Sequence, residues 1–411
     1  MTYRTLDVAI VADDLTGALD AAAPFAARGL NTRVLLDVDR ATSAVETDTQ
    51  VLSLTSESRH LSPPAADDRV WRATRAVLAH TPRILFKKID STLRGNVPVE
   101  ILAALRTSGL RHALIAPAVP RHGRSMRAGE LFINGVPLRQ TRIGSDALSP
   151  PPSAPLPQVL SAASEDIIVH EWPRGAPFAL SVEPGIHAYL ADCEIETDLD
   201  AIAQFALSHC DEVLPVGASG LAAAIARQLT QKLSSVVFSP RPSISQKAHK
   251  PILFVIGSRT KISAEQTARL CAAGAEELIM PLSESAREGD WLPDRNVSRS
   301  PQPAALIIRP ELSSEPSPIT SSEVAQTLGR MAASLVRRLQ LNAIVMVGGD
   351  TAFETFQALG IHVASVTGEI MPGIATGKMR VGGRSVTFIT KAGGFGKANA
   401  LVEIFQHLKN Q

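Results

Sequence analysis

Cysteine is scarce in this chain. Three occur in 411 residues, Cys193, Cys210 and Cys271, and their spacings fit neither a CxxC metal knuckle nor a disulfide framework. An odd count leaves at least one free thiol, which favours a reducing compartment. Charge of one sign is also missing. Lys and Arg number 41 against 40 Asp and Glu, for a formal net charge of +1. No global field therefore draws the protein to nucleic acid or to a membrane surface, and neither partner is expected. Any anion binding has to be local. No apolar run approaches the roughly 18 residues of a membrane-spanning helix. The opening MTYRTLDVAIVADD meets two aspartates directly after a short apolar run, unlike a secretory signal. The expected location is the cytoplasm.

Several catalytic signatures are absent too. A Walker A loop needs GxxxxGK[ST], and the nearest approach, Gly373 to Met379, is one residue short and ends in methionine. No GxGxxG follows a strand-like run, which argues against a dinucleotide site. The 10 histidines show no HExxH, so zinc chemistry is not expected. Gly217-Ala218-Ser219-Gly220 is not the GxSxG of a hydrolase elbow. There is no short-period repeat.

What is present is alternation. Hydrophobic residues make up 45% of the chain, enough for a sizeable core. Strand-like apolar runs occur at 8–12, 32–36, 50–54, 83–86 and 113–116, with helical stretches at 17–27, 67–79 and 97–107. Such alternation predicts a parallel sheet covered by helices. A further strand at 211–216 leads into an alanine-rich helix, and KLSSVVFSPRPSISQKAHK (232–250) then loses all periodicity. That stretch predicts a domain boundary, with domains at 1–235 and 246–411. The second unit opens with a strand at 252–256. It carries a helix at 320–339, marked by the capping-box pair Thr320 and Glu323, and a strand at 343–347. A proline-rich stretch at 150–157 reads as loop or connector, and 285–318 as loop with one strand at 304–308.

In parallel sheets ligands bind beyond the carboxyl ends of the strands, so the residues just after each apolar run are the candidates for function. Asp13 and Asp14 follow the first strand. They could bind hydroxyls, serve as general base or position Mg²⁺, or one could simply cap the next helix. Arg59 follows the third strand and could anchor a carboxylate, although a lone arginine is more often at the surface. The densest polar cluster is KKIDSTLRGN (87–96). There Lys87, Lys88 and Arg94 could hold a carboxylate or phosphate, and Asp90 could take a proton or bind hydroxyls. Glycine-rich turns gather in the second half: GSRT (257–260), GGDT (348–351), MPGIATGK (371–378) and KAGGFGK (391–397). Glycines let backbone N–H groups approach a phosphate, and a helix N-terminus adds a favourable dipole.

Taken together, VADDLTGALD (11–20), KKIDSTLRGN, PAVPRHGRS and GELFINGVPL (117–138), GSRT, VGGDTA, GEIMPGIATG and KAGGFG stand in one order along nearly the whole chain. In this they resemble the four-carbon acid sugar kinase family. The resemblance implies an α/β chain of two domains, each a mainly parallel sheet flanked by helices, with the active site in the cleft between them. The first domain would bind a sugar acid through Asp13, Asp14, Arg59, Lys87, Lys88, Ile89 and Asp90. The second would bind ATP through Ser258, Gly348, Gly349, Asp350, Thr351 and Gly393. Mg²⁺ would bridge the β- and γ-phosphates, with its protein ligands unassigned. One of Asp13, Asp14 and Asp90 would orient or deprotonate the attacking hydroxyl, while Arg59 and Lys87 or Lys88 would grip the acid.

The expected reaction is transfer of the γ-phosphate of ATP to the C4 hydroxyl of D-threonate or D-erythronate. A 3-oxo-tetronate kinase is the neighbouring alternative, because the loop RQTRIGSDALSPPPSAPLPQ after GVPL leaves the acid open. A ribokinase-like kinase with Asp350 as base is a further reading, and a sugar-acid sensor without catalysis is the non-enzyme one. Oligomeric state is left open, a homodimer included.

Overall fold

The computed structural model describes residues 6–40, 46, 48–141, 150–231, 251–282, 303–311 and 320–410. The connector expected at 232–250 lies outside the described residues, as do 142–149 of the loop after GVPL and most of 285–318. The chain divides into two compact units, residues 1–237 and 238–411.

The first unit begins β1 (Val8–Ala12), α1 (Leu15–Ala26), β2 (Thr32–Leu35), β3 (Val51–Thr55), α2 (Pro63–Leu78), β4 (Ile84–Lys88), α3 (Val97–Ser108) and β5 (His112–Ala116). A small antiparallel sheet of β6 (Arg124–Arg127), β7 (Glu130–Ile133) and β8 (Val136–Pro137) follows. The unit closes with α4 (Leu156–Ala163), β9 (Ile167–Trp172), β10 (Ile186–Ala191), α5 (Glu196–Ser208), β11 (Val213–Gly217) and α6 (Ser219–Gln231). The proline-rich stretch at 150–157 thus runs into the start of a helix, with Pro155 at its N-cap and Pro157 in its first turn, where a missing N–H is harmless.

The main sheet is ordered β2-β3-β1-β4-β11-β5-β10-β9, and its pairings are parallel. β1, β3, β4, β5 and β11 are buried at every residue, as strands covered on both faces must be. The covering helices form two layers, since α6 packs on α1 and α5 while α2 packs on α3. The winding reverses at β1, which pairs with β3 on one side and β4 on the other. Ala12 stands level with both Thr55 and Lys88. Three strand ends therefore lie side by side at a switch point, where sheets of this kind bind ligands.

The strand expected at 83–86 runs on through Lys88, so both lysines are sheet residues and both are buried. Lysine can occupy such a position because its aliphatic stem packs like a hydrocarbon while the ammonium seeks a partner.

The second unit runs β12 (Ile252–Ile256), α7 (Lys261–Ala272), β13 (Glu276–Met280), β14 (Ala305–Pro310), α8 (Ser321–Arg338), β15 (Ala343–Val347) and α9 (Gly349–Leu359). It ends in β16 (Val363–Met371), β17 (Ile374–Val381), β18 (Arg384–Lys391) and α10 (Ala400–Lys409). Its strands are ordered β13-β14-β12-β15-β18-β17-β16. They are parallel as far as β18, and β17 is antiparallel to both its neighbours. The core between this sheet and α10 is built from Phe254, Ile256, Val345, Val347, Ile389, Leu401 and Ile404. In α8, Thr320 and Glu323 close the expected capping box, and Val324, Leu328, Met331 and Leu335 are buried.

One of the glycine-rich segments forms a strand hairpin rather than a strand-to-helix turn. MPGIATGK is the reverse turn of the β16–β17 hairpin, with Gly373 at φ 76°. Gly377 lies inside β17, where a Cβ would come 2.3 Å from the Ser365 carbonyl oxygen. Its glycines serve strand pairing.

Candidate active site

At the end of β1 the two aspartates take different tasks. Asp14 has extended backbone angles, and its Oδ1 accepts the Gly17 N–H at 2.7 Å, so it is the N-cap of α1. Its Oδ2 accepts from Arg59 Nη1 at 2.6 Å. Asp13 Oδ2 accepts from Arg59 Nε at 2.7 Å and lies 2.7 Å from Nη2. Asp13 Oδ1 is buried and has no hydrogen-bond partner among the described residues. Arg59, placed after β3, is therefore buried among carboxylates; its Nη2 is also 3.7 Å from Asp90 Oδ1.

Asp90 is held on both oxygens. Oδ2 accepts the backbone N–H of Thr92 at 3.0 Å, the Thr92 hydroxyl and Arg94 Nε at 3.0 Å. Oδ1 accepts from Arg94 Nη2 at 3.0 Å.

The two lysines diverge because successive strand side chains point to opposite faces. Lys87 Nζ lies 2.9 Å from Glu100 Oε2 of α3, with both side chains fully buried. Lys88 lies towards α1: its Nζ would sit 2.8 Å from a Cβ on Gly17, and it donates to the Ile89 carbonyl at 2.8 Å. Ile89 itself offers only backbone, and its N–H reaches the Gly217 carbonyl at 3.0 Å.

These contacts set the charges. Burial alone would raise the Asp13 carboxyl, but Arg59, Lys88 and Lys87 outweigh it and hold it below the usual carboxylate range. At Asp14 burial prevails over Arg59, with Asp13 adding to it, and the carboxyl is raised. Asp90 is driven well below its ordinary value, because Arg59, Arg94 and the hydrogen bonds from Arg94 and Thr92 overcome its burial. The ionised form of Asp13 is thereby favoured, with one oxygen anchored by Arg59 and the other buried without a hydrogen-bond partner among the described residues.

Sequence reading missed two residues here. Gly17 is required by space, since a Cβ would lie 2.5 Å from Asp14 Oδ1 as well as against Lys88. Arg124, at the start of β6, donates to Ser91 Oγ and is acted on by Asp90 and Asp20. Both stood inside quoted motifs, VADDLTGALD and PAVPRHGRS, but neither had been given a role.

The second unit repeats the architecture with glycines instead of charges. Ile256 is level with Val347, and Val347 with Lys391, so GSRT, GGDT and KAGGFG leave three adjacent strand ends. The turns interlock. A Cβ on Gly257 would meet Thr351 Oγ1 at 1.9 Å, and one on Gly393 would meet Ser258 Oγ at 2.1 Å and Ser258 Cβ at 2.7 Å. Gly348 has φ 116°, which requires glycine, and it caps α9 without a side chain. The first-turn N–H groups of α9, from Gly349, Asp350 and Thr351, thus have no side-chain cap, the usual setting for an anion. Thr260 Oγ1 and Ser263 Oγ both donate to the Gly393 carbonyl, at 3.2 and 2.9 Å. Of the expected residues, Ser258, Gly348, Gly349, Asp350, Thr351 and Gly393 all fall on these turns. Among the described residues no group of three His, Cys, Asp or Glu could hold a metal ion, and no helix is long and apolar enough to cross a membrane.

Comparison with known proteins gives a consistent picture. Residues 8–225 match the sugar-binding N-terminal domain family, and residues 253–401 match the nucleotide-binding C-terminal domain family. A D-threonate kinase of Salmonella typhimurium is 28% identical over 97% of this chain and 98% of its own. A D-threonate kinase of Bordetella bronchiseptica is 30% identical over 98% of both chains. A solved structure from Salmonella typhimurium LT2 shares the fold, with a TM-score of 0.80 at 20% identity over 97% of this chain and 98% of that one.

Proposed function

The chain belongs to the four-carbon acid sugar kinase family, and within it we propose a D-threonate kinase that phosphorylates the C4 hydroxyl with ATP, D-erythronate being the second choice. That the chain is a kinase of a four-carbon acid sugar removes the sensor and the ribokinase-like readings. The preference for threonate follows the two D-threonate kinases named above, together with the KKIDSTLRGN motif.

One observation carries the mechanism: Asp13 Oδ1 is buried without a hydrogen-bond partner among the described residues, and the cations around it hold the carboxyl below the usual carboxylate range, favouring its ionised form. An acceptor in that state is suited to take the proton of a substrate hydroxyl, or to aim that hydroxyl's lone pair at phosphorus. Its other oxygen is locked by Arg59, which fixes the carboxylate's direction. In our reading Arg59 organises the aspartates, and the acid's carboxylate is gripped mainly by Lys88, whose Nζ donates, among the described residues, to the Ile89 carbonyl. Lys87 is committed to Glu100 and keeps the strand in place. Asp90, saturated by Arg94 and Thr92, shapes the pocket wall.

Phosphoryl transfer asks for positioning and charge neutralisation more than for covalent chemistry. We assign the acid to residues 1–235 and the nucleotide to residues 246–411. The reaction requires that the hydroxyl meet the γ-phosphate with water excluded. ATP would lie with its phosphates on the N–H groups of GGDT and KAGGFG. Mg²⁺ is commonly held by one or two carboxylates and the phosphates themselves. Asp350, exposed in the first turn of α9, would be a carboxylate available to join it. The ion would neutralise charge on the transferring group.

Initial rates of ADP release across D-threonate, D-erythronate, their L-isomers and a 3-oxo-tetronate test the substrate. The highest kcat/KM should fall on D-threonate. A clear preference for the 3-oxo acid would overturn that choice.

A further inference from the structure

Lys391, the last residue of β18, is 1% exposed. Its Nζ donates to three carbonyls of the turn that follows: Ala392 at 3.0 Å, Gly393 at 3.2 Å and Phe395 at 2.9 Å. Its own carbonyl accepts the Gly348 N–H at 3.0 Å. One residue thus ties together the GGFG turn and the GGDT turn. Gln266 of α7 completes the hold, donating to the carbonyls of Phe395, Gly396 and Lys397 at 3.1, 3.3 and 2.9 Å.

In a trans peptide the N–H points opposite to the C=O. Carbonyls 392, 393, 395, 396 and 397 are drawn towards Lys391 and Gln266, so the N–H groups joined to them face the other way. Among the described residues, the N–H groups of Gly393 and Gly394 take no backbone partner.

The cation itself has no carboxylate partner among the described residues. Ser263 and Gln266 face the turn from α7, Val347 is its ladder neighbour on β15 and Ile374 its neighbour on β17, all of them uncharged. Burial is what pushes the Lys391 ammonium down to about 8.

We propose that Lys391 is a positioning residue for nucleotide: it turns the GGFG carbonyls inward so that the N–H groups meet the phosphates, and its unpaired charge attracts them. The proposal rests on the reading that nucleotide binds the second unit. It has a consequence for pH. A bound polyphosphate strengthens the lysine's hold on its proton, so the free protein loses that proton before the complex does. Affinity for phosphate-bearing ligands should then fall as pH rises past 8, by at most about tenfold per unit for one proton.

The test is titration calorimetry of the full chain with ADP, inorganic tripolyphosphate and adenosine between pH 7 and 9.5. The terminal phosphate of ADP, with a second pKa near 6, is ionised throughout this window. Wild type should lose on the order of tenfold in ADP and tripolyphosphate affinity across it, while adenosine binding stays flat. Lys391→Met should bind ADP about tenfold more weakly at pH 7 and show no slope. A flat wild-type profile, or a Lys391→Met profile equal to wild type, overturns the proposal. Should Lys391→Met fail to fold, the wild-type contrast between ADP and adenosine decides alone. Gly393→Val separates the two readings. Unchanged ADP binding there sinks the nucleotide assignment itself, whereas loss there beside an unaffected Lys391→Met sinks only the role of the lysine.

Discussion

Asp13→Asn isolates the proposed base from the frame that holds it. The substitution keeps the side chain's size and leaves an acceptor for Arg59, while removing the negative charge and the strongly basic oxygen. Arg59 retains Asp14 at 2.6 Å and Asp90 at 3.7 Å, so its charge is not stranded. Hydrogen bonds to charged groups contribute about 1.5–3 kcal/mol and neutral ones about 0.5–1.5, so the expected loss of stability is about 1–2 kcal/mol. In a unit of this size that is a fall of roughly 2–8 °C in Tm. The kinetic loss should be larger. Positioned acid–base catalysis contributes about 10²- to 10⁴-fold, or about 2.7–5.4 kcal/mol of barrier. At saturating ATP and acid, kcat should drop in that range with KM changed less. Asp14→Asn is the control: asparagine is as good an N-cap as aspartate, and its kcat should fall much less. ADP release coupled to a spectrophotometric assay, with circular-dichroism melts of each variant, measures both quantities. A folded Asp13→Asn enzyme within threefold of wild-type kcat refutes the reasoning and moves the base elsewhere.

Lys87→Met leaves Glu100 buried without its cation, the Ser58 hydroxyl still donating to Oε1 at 2.7 Å. Breaking such a pair costs about 3–5 kcal/mol, so the melt should shift strongly while the acid's KM in folded protein barely moves; Lys87→Met with Glu100→Gln should recover much of the loss. Gly17→Ala brings a Cβ to 2.5 Å from Asp14 Oδ1 and 2.8 Å from Lys88 Nζ, so the KM for the acid should rise several-fold with the KM for ATP unchanged. Asp13 and Asp90 have folded pKa values below their unfolded ones. Their contribution to stability is therefore full above the unfolded pKa near 3.9 and is lost as pH falls through the lower folded values. Asp14, raised in the fold, acts with the opposite sign. Denaturant melts between pH 7 and 2.5 should show stability falling below about pH 4, less steeply in Asp90→Asn; an identical profile in that variant contradicts the assignment.

The buried strands were legible because their message is redundant. β1, β3, β12 and β15 are short, mainly apolar runs followed by polar or glycine residues where the sheet must end, and β5 is an apolar run that stops at Pro117. β9, β10 and the β16–β18 hairpins were not read: β9 and β16–β18 are partly exposed strands that mix polar with apolar residues, whereas β10 is buried but carries His187 and Tyr189 within its run. Arg59 illustrates a different limit. It lies 46 positions from Asp13, and only the parallel register of β1 with β3 brings them together. Lys87 and Lys88 could have been told apart, because strand alternation sends adjacent side chains to opposite faces. Ending the expected strand at 86, before the lysines, concealed this. In the second unit the glycines were visible, whereas the donors that aim the turns, Lys391 and Gln266, lie on a strand end and a helix. Only the tertiary contacts connect them. MPGIATGK, read only as a glycine-rich turn, proves to be the β16–β17 hairpin, which the glycine count alone could not show.

The central claim is that this chain transfers the γ-phosphate of ATP to the terminal hydroxyl of a four-carbon sugar acid. ³¹P NMR of the product formed from ATP and D-threonate tests it most directly. The account predicts a phosphate ester split into a triplet by the two C4 protons, appearing in step with ADP and lost in Asp13→Asn. ADP formation without a new ester, or a doublet from a secondary ester, would contradict it.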